Sequence, residues 1–246
     1  MYQKAVRRLG RLASELRTGI NERLDQREII HFLHIGKNAG NQIKHLASLV
    51  NDASLKYRIL VHRHNVTLSD IPADARYFFS IRSPVSRFKS GFYSRKRMGR
   101  PLRNSKWSEM EQRAFERFEH ADEIATALFK NGSEGRDAMC AIKSIKHCAN
   151  DQISWFTGQL YFLDTRPPVG IIRTESLESD FNAMLARLGG SIAFTSTSDP
   201  VLSHRNDYSK TVDLSEEAVE NLKRWYGQDM EFYRHCEAWI RAQGDS

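Results

Sequence analysis

The chain has 246 residues, 40% hydrophobic and 27% charged, which suits one α/β domain with a sizeable core. Its 37 Lys+Arg exceed its 30 Asp+Glu, giving a net charge of +7 and a pI of about 9.4, so the expected partners are anionic. Three cysteines (Cys140, Cys148 and Cys236) without CxxC spacing exclude a disulfide framework and a thiolate metal site, and the lack of any run of ~18 apolar residues excludes a membrane span.

In chain order, Val6, Leu9, Leu12, Leu16, Ile20 and Leu24 form one helical stripe opposed by arginines and lysines. Residues 1–27 are therefore predicted to be an amphipathic basic helix that packs on the core, with peripheral membrane contact as the other use of such a face. They carry no signal-peptide apolar core, so the expected location is cytoplasmic. Glu28 to Ile35 reads as a buried strand ending at Gly36, and Asn41 to Val50 as a helix. Tyr57–Val61 and Arg76–Arg82 are further strands, and Pro84 opens a helix carrying Val85, Phe88 and Phe92. Trp107 to Lys130 reads as one long helix, while 131–168 gives no clear pattern before the Pro167-Pro168 turn. Val169–Arg173 is a fourth strand, Asp180–Leu188 a helix stopped by Gly189-Gly190, and Leu214–Ile240 a final helix with Ser215 as N-cap. Strands alternating with helices over 28–246 predict a mainly parallel central sheet flanked by helices, with a ligand site at the carboxyl ends of the strands.

Two segments carry the chemistry. Gly36-Lys37-Asn38-Ala39-Gly40 lies between a strand and a helix, where glycines permit tight turning and helix N-terminal N–H groups face an oxyanion. The spacing is not GxxxxGK[ST], because Lys37 precedes Gly40 and Asn41 stands at the lysine position. Nor is there an evident acidic strand end for magnesium, which disfavours a nucleotide-dependent phosphotransferase. The second segment, Arg82-Ser83-Pro84-Val85-Ser86-Arg87-Phe88-Lys89-Ser90, begins at a strand end, with Arg87 and Ser90 three apart on one helix face. Arginine forks suit phosphate. The basic run Arg95, Lys96, Arg97, Arg100 and Arg103 reads either as an acceptor groove or as a solvated helix end. No nucleic-acid recognition motif accompanies the positive charge, so nucleic acid is not an expected partner. A non-catalytic protein that uses the net +7 charge to bind an anion or nucleic acid is a further alternative.

Together the two segments resemble those of sulfotransferases that use 3′-phosphoadenosine 5′-phosphosulfate (PAPS), nearest to the carbohydrate branch that includes heparan sulfate 2-O-sulfotransferase and bacterial relatives. That family carries H-I-P-K-T-A-G-T-S for the 5′-phosphosulfate and R-D-P-x-x-R-x-x-S for the 3′-phosphate. Here these read His34 to Gln42 and Arg82 to Ser90, with Gly36 in place of proline, Asn38, Asn41 and Gln42 in place of hydroxyl residues, and Ser83 in place of aspartate. Ile172 to Leu177 with Asp180-Phe181, Ser203-His204-Arg205, and Trp225-Tyr226…Asp229…Phe232-Tyr233 extend the resemblance loosely across 29–236.

The resemblance implies a phosphosulfate site at Gly36, Lys37, Asn38, Ala39, Gly40, Asn41 and Gln42. It also implies a 3′-phosphate site at Arg82, Ser90 and Arg205, no metal, and adenosine 3′,5′-bisphosphate (PAP) as product. It implies that a histidine in His62-Arg63-His64 is the base, His64 first and His62 second. An imidazole with an ordinary pKa of ~6.5 suits that role. The implied reaction is in-line transfer of the sulfonate to an acceptor hydroxyl on a carbohydrate or glycan, with Lys37 stabilising the departing phosphate.

Overall fold

The computed structural model describes residues 26–54, 56–101, 104–190, 193–195 and 211–244. The predicted helix over 1–27, apart from its last two residues, and Arg103 and Arg205 lie outside them. Four strands, β1 (Glu28–Leu33), β2 (Tyr57–Val61), β3 (Arg76–Ile81) and β4 (Gly170–Arg173), form one sheet in the order β2-β1-β3-β4. Every pairing is parallel, with Phe32 beside Val61 and Phe78, and Ile81 beside Arg173. The expected α/β class with a parallel sheet flanked by helices is observed.

A parallel sheet must be covered on both faces, and the strand period of two supplies both. Ile30, Phe32, Phe78 and Ile172 face helices α1 (Gly40–Ala53) and α7 (Leu177–Arg187), burying Ile43, Leu46, Phe181 and Met184. Leu33, Phe79, Ile81 and Ile171 face the opposite way. There they meet Ile153, Phe156, Phe162 of the short helix α6 (Phe162–Thr165), and Phe232 of the C-terminal helix α9 (Gly227–Gly244). A third core joins helices α2 (Pro84–Lys96), α3 (Glu109–Arg117), α4 (Ala121–Ala127), α5 (Ser133–Ser144) and α8 (Glu216–Trp225) beside the sheet.

Two predicted helices are divided. The one over 107–130 breaks at Phe118, whose backbone is extended. It restarts because the carboxylate of Glu123 accepts from the N–H groups of Glu119 and His120, an N-terminal cap that ends one helix and begins another. The final helix divides at Tyr226, with Ser215 capping its first half as expected. β1 ends at Leu33, two residues earlier than its apolar run, and the unreadable 131–168 segment contains α5, a 3-10 turn over Gln152–Phe156 and α6.

The strand order places a topological switch point between β1 and β3. The chain leaves β1 through α1 on one face of the sheet, while segments following β3 cover the other. The crevice opened there is the expected ligand position of such a sheet. The β1–α1 turn is tightly seated. A Cβ on Gly40 would lie 1.7 Å from Nε2 of His34. That ring is buried, stacked on Phe32 with centroids 5.6 Å apart and tilted against His64 with centroids 3.8 Å apart, so it has no room to retreat. Gly40→Ala is therefore expected to destabilise the fold by about 1–3 kcal/mol, and His34→Ala to relieve part of that loss when combined with it. Thermal melts of the two single variants and the double variant measure the coupling; additive losses would contradict the steric cause.

Candidate functional site

A cleft of about 2010 Å³ opens at the carboxyl ends of the strands. Its lining brings together Gly36, Lys37, Ala39, Gly40, Asn41 and Gln42 from the β1–α1 connection, His62 and His64 from beyond β2, and Arg82 and Ser90 from β3 and α2. Asn38 is not in the lining. Lysines and arginines dominate it, among them Lys37, Lys44, Arg63, Arg82, Arg97 and Lys146, against the carboxylates Glu111, Glu175 and Glu178.

The β1–α1 connection adopts an unusual backbone. Lys37 and Ala39 both have positive φ, 72° and 55°, a left-handed conformation that costs a non-glycine residue roughly 1–2 kcal/mol. Ala39 is the N-cap of α1, whose first turn holds no acidic residue. Alternation of this kind at a helix start gathers N–H groups towards one point and favours an anion. Burial lowers the pKa of Lys37 to about 8, helped by the positive charges of Arg97 and Arg82.

Asn38 turns its amide into the fold. Its side chain is fully buried, and Nδ2 donates to the Ser80 carbonyl at 2.8 Å and to Oε1 of Gln152 at 2.7 Å. Ser80 returns a bond from Oγ to the Asn38 carbonyl at 2.5 Å. The amide therefore ties the loop to β3, and its donors are taken by the protein. The Asn38 amide serves folding of the loop, while Asn41 and Gln42 on the first turn of α1 line the cleft.

Arg82 sits at the end of β3, as its sequence position indicated. Its Nη1 approaches the Lys37 carbonyl at 3.4 Å, and its main-chain N–H and C=O both bond the amide of Gln152, at 3.0 and 2.9 Å. Ser90 is buried at the wall of the cleft on α2. Arg87, which also belongs to the second motif, is turned inward: Nε donates to the Gly36 carbonyl at 3.0 Å and Nη1 to the Asn150 carbonyl at 2.7 Å. It acts as a brace between the two motifs.

His64 follows β2, and its Nδ1 donates to the His34 carbonyl at 3.0 Å. A carbonyl can only accept, so this bond places the proton on Nδ1 and the lone pair of the neutral ring on Nε2. His62 instead shares a 2.8 Å nitrogen–nitrogen hydrogen bond with His31, and burial lowers the pKa of both rings.

No family model, no curated protein and no solved structure matches this chain. The site thus stands on its own chemistry. Two contributors came from segments the sequence left unread. His147 lines the cleft, held neutral by burial and by Lys37, with a pKa lowered to about 3. It shares the surroundings of Gly36 with His64: a Cβ there would lie 3.7 Å from Nδ1 of His147 and 3.9 Å from that of His64. Gln152 is the second, and no periodicity or spacing marks it. Among the described residues no group of three or more His, Cys, Asp or Glu could hold a metal ion.

The basic run after α2 divides by environment. Arg95 is buried in a two-pronged pair with Glu111, Nε–Oε1 2.6 Å and Nη2–Oε2 2.7 Å. Burial raises the Glu111 pKa, but the Arg95 bonds and the N–H groups of Ser108 and Lys146 outweigh it and hold it at about 2. Lys96 reaches the Glu119 carbonyl. Arg97 and Arg100 line the cleft. Arg95 lies in the same lining, but its charge is paired with Glu111. Arg173 pairs with Asp180 through two parallel bonds of 2.9 and 2.8 Å, joining β4 to α7.

Lys37 yields a test with a defined sign. Between about pH 8 and its ordinary 10.5 the unfolded chain holds a proton that the folded chain has released. Stability therefore rises with pH across that window. Lys37→Met removes a buried cation crowded by like charges. The variant should melt above the wild type at pH 7, with the gap narrowing towards pH 10.5. A variant that melts lower at pH 7 would show that Lys37 stabilises the unliganded protein.

Proposed function

We propose that the protein is a PAPS-dependent sulfotransferase that moves a sulfonate to an acceptor hydroxyl, on a carbohydrate or glycan by the resemblance of its motifs. The observation that carries this reading is the meeting of three elements in one cleft at the switch point. They are the Lys37 loop at a helix start, the Arg82 and Ser90 strand end, and a histidine whose tautomer leaves Nε2 able to take a proton. Two phosphate-binding regions side by side suit a nucleotide phosphorylated at both the 3′ and 5′ positions.

In this reading the β1–α1 turn receives the phosphosulfate and Arg82 with Ser90 receives the 3′-phosphate, with Arg205 as a further candidate for the same group. Nε2 of His64 accepts the acceptor's hydroxyl proton as its oxygen bonds to sulfur. The bond from sulfur to the bridging phosphate oxygen breaks, and its electron pair leaves with adenosine 3′,5′-bisphosphate. Lys37 and the turn's N–H groups stabilise the charge that develops on that oxygen. His147, neutral beside them, adds a hydrogen-bonding group without another positive charge.

Adenosine 3′,5′-bisphosphate at ~100 times its Kd should stabilise the protein by about 2.7 kcal/mol, a melting shift of roughly 5–10 °C for a chain of this size. AMP and ATP should produce far smaller shifts. Equal shifts for all three, or none with the bisphosphate, would refute the reading. His64→Ala should keep the bisphosphate shift while transfer of the sulfonate falls by about 10²–10⁴-fold. Unchanged turnover would remove His64 from the mechanism.

A further inference from the structure

The segment between α5 and α6 is hydrogen-bonded to Asn38, Arg82, Arg87 and His64. The Asn150 carbonyl accepts from Arg87, which also holds the Gly36 carbonyl. Nε1 of Trp155 donates to the His64 carbonyl at 3.0 Å. Between them, the fully buried Gln152 uses all of its side-chain amide. Oε1 accepts from Nδ2 of Asn38 and from the Arg82 N–H, and Nε2 donates to the Arg82 carbonyl and, at 3.4 Å, to Oδ2 of Asp229.

Asp229, itself fully buried on α9, anchors this segment. Its Oδ2 accepts from the Gln152 N–H at 2.8 Å and its Oδ1 from the Ile153 N–H at 3.0 Å. Tyr226, one turn earlier, donates to the Cys148 carbonyl at 2.6 Å.

From this geometry we infer that Gln152, fixed by Asp229, is a positioning residue of the anion site: it sets the distance and angle between the β1–α1 turn and the end of β3. No main-chain ladder can do this beyond the strands, because β1 ends at Leu33 and β3 at Ile81. One amide bridges the two loops instead, reading the side chain of one and the peptide of the other. It contacts no site for substrate, so its influence passes through Asn38 and Arg82. The identity of the ligand rests on the sulfotransferase reading; the coupling of the two loops does not.

Gln152→Leu keeps the approximate volume and removes all four amide bonds, and Asp229→Asn removes an acceptor while leaving Gln152 in place. Hydrogen exchange is followed by mass spectrometry well below the melting point, and the Kd for adenosine 3′,5′-bisphosphate is measured at the same temperature. In Gln152→Leu, peptides covering 34–42 and 80–84 should exchange at least tenfold faster while those covering α1 beyond its first turn and α7 keep wild-type rates. The Kd should rise tenfold or more. Asp229→Asn should loosen the same two segments to a smaller degree, which tests the idea should Gln152→Leu fail to fold. Wild-type exchange in both loops, or equal acceleration throughout the molecule, would overturn the positioning role. If the wild type binds no bisphosphate, the nucleotide reading fails and the exchange pattern alone decides the role of Gln152.

Discussion

The buried amide of Gln152 is the interaction on which the cleft depends. Leaving any of its partners unsatisfied in the interior would cost about 1–3 kcal/mol each, and here every amide atom is used. Networks of this kind stiffen the segments they join, and the neighbouring Oδ1 of Asn38 is a buried atom in it without a partner among the described residues. The consequence is that loops from two adjacent strands, free of sheet pairing beyond Leu33 and Ile81, are fixed relative to each other. Asp229 carries this constraint to the C-terminal helix, so residues nearly two hundred positions apart in the chain define one surface.

The fold and the electrostatics oppose each other at this surface. Two non-glycine residues hold left-handed backbone, and Lys37 is buried among like charges that lower its proton affinity. Each feature disfavours the unliganded protein, and the crowding of positive charge is of the kind that a bound anion would offset. Energy held in strained or crowded groups commonly marks a functional position. Glu111 shows the contrasting solution: it neutralises Arg95 in the cleft wall, so that this cation braces the wall rather than adding to the field.

Much of the architecture was legible in the chain because it follows from periodicity. All four strands, the helix after Gly40, the Pro84 helix start and the Ser215 cap lie where apolar spacing and capping chemistry put them. The two divided helices were not legible, because continuous apolar faces concealed the breaks, and in the first of them the restart is determined by the single carboxylate of Glu123. In the site, the positions of Lys37, Arg82, Ser90 and His64 could be read because each follows a recognisable strand or begins a helix. For Asn38, spacing gives the place in the loop but not the side towards which the amide turns, which is inward to Ser80 and Gln152. Gln152 and Asp229 act through tertiary contacts across 70 to 114 positions and His147 through its place beside Gly36, and nothing local distinguishes them from other polar residues.

A structure of the protein with adenosine 3′,5′-bisphosphate tests the central claim most directly. The expected result places the 5′-phosphate over the turn from Lys37 to Gly40, the 3′-phosphate against Arg82 and Ser90, and His64 facing the open side of the 5′-phosphate. Nucleotide bound outside this cleft, or within it with the 3′-phosphate turned to solvent, would contradict it.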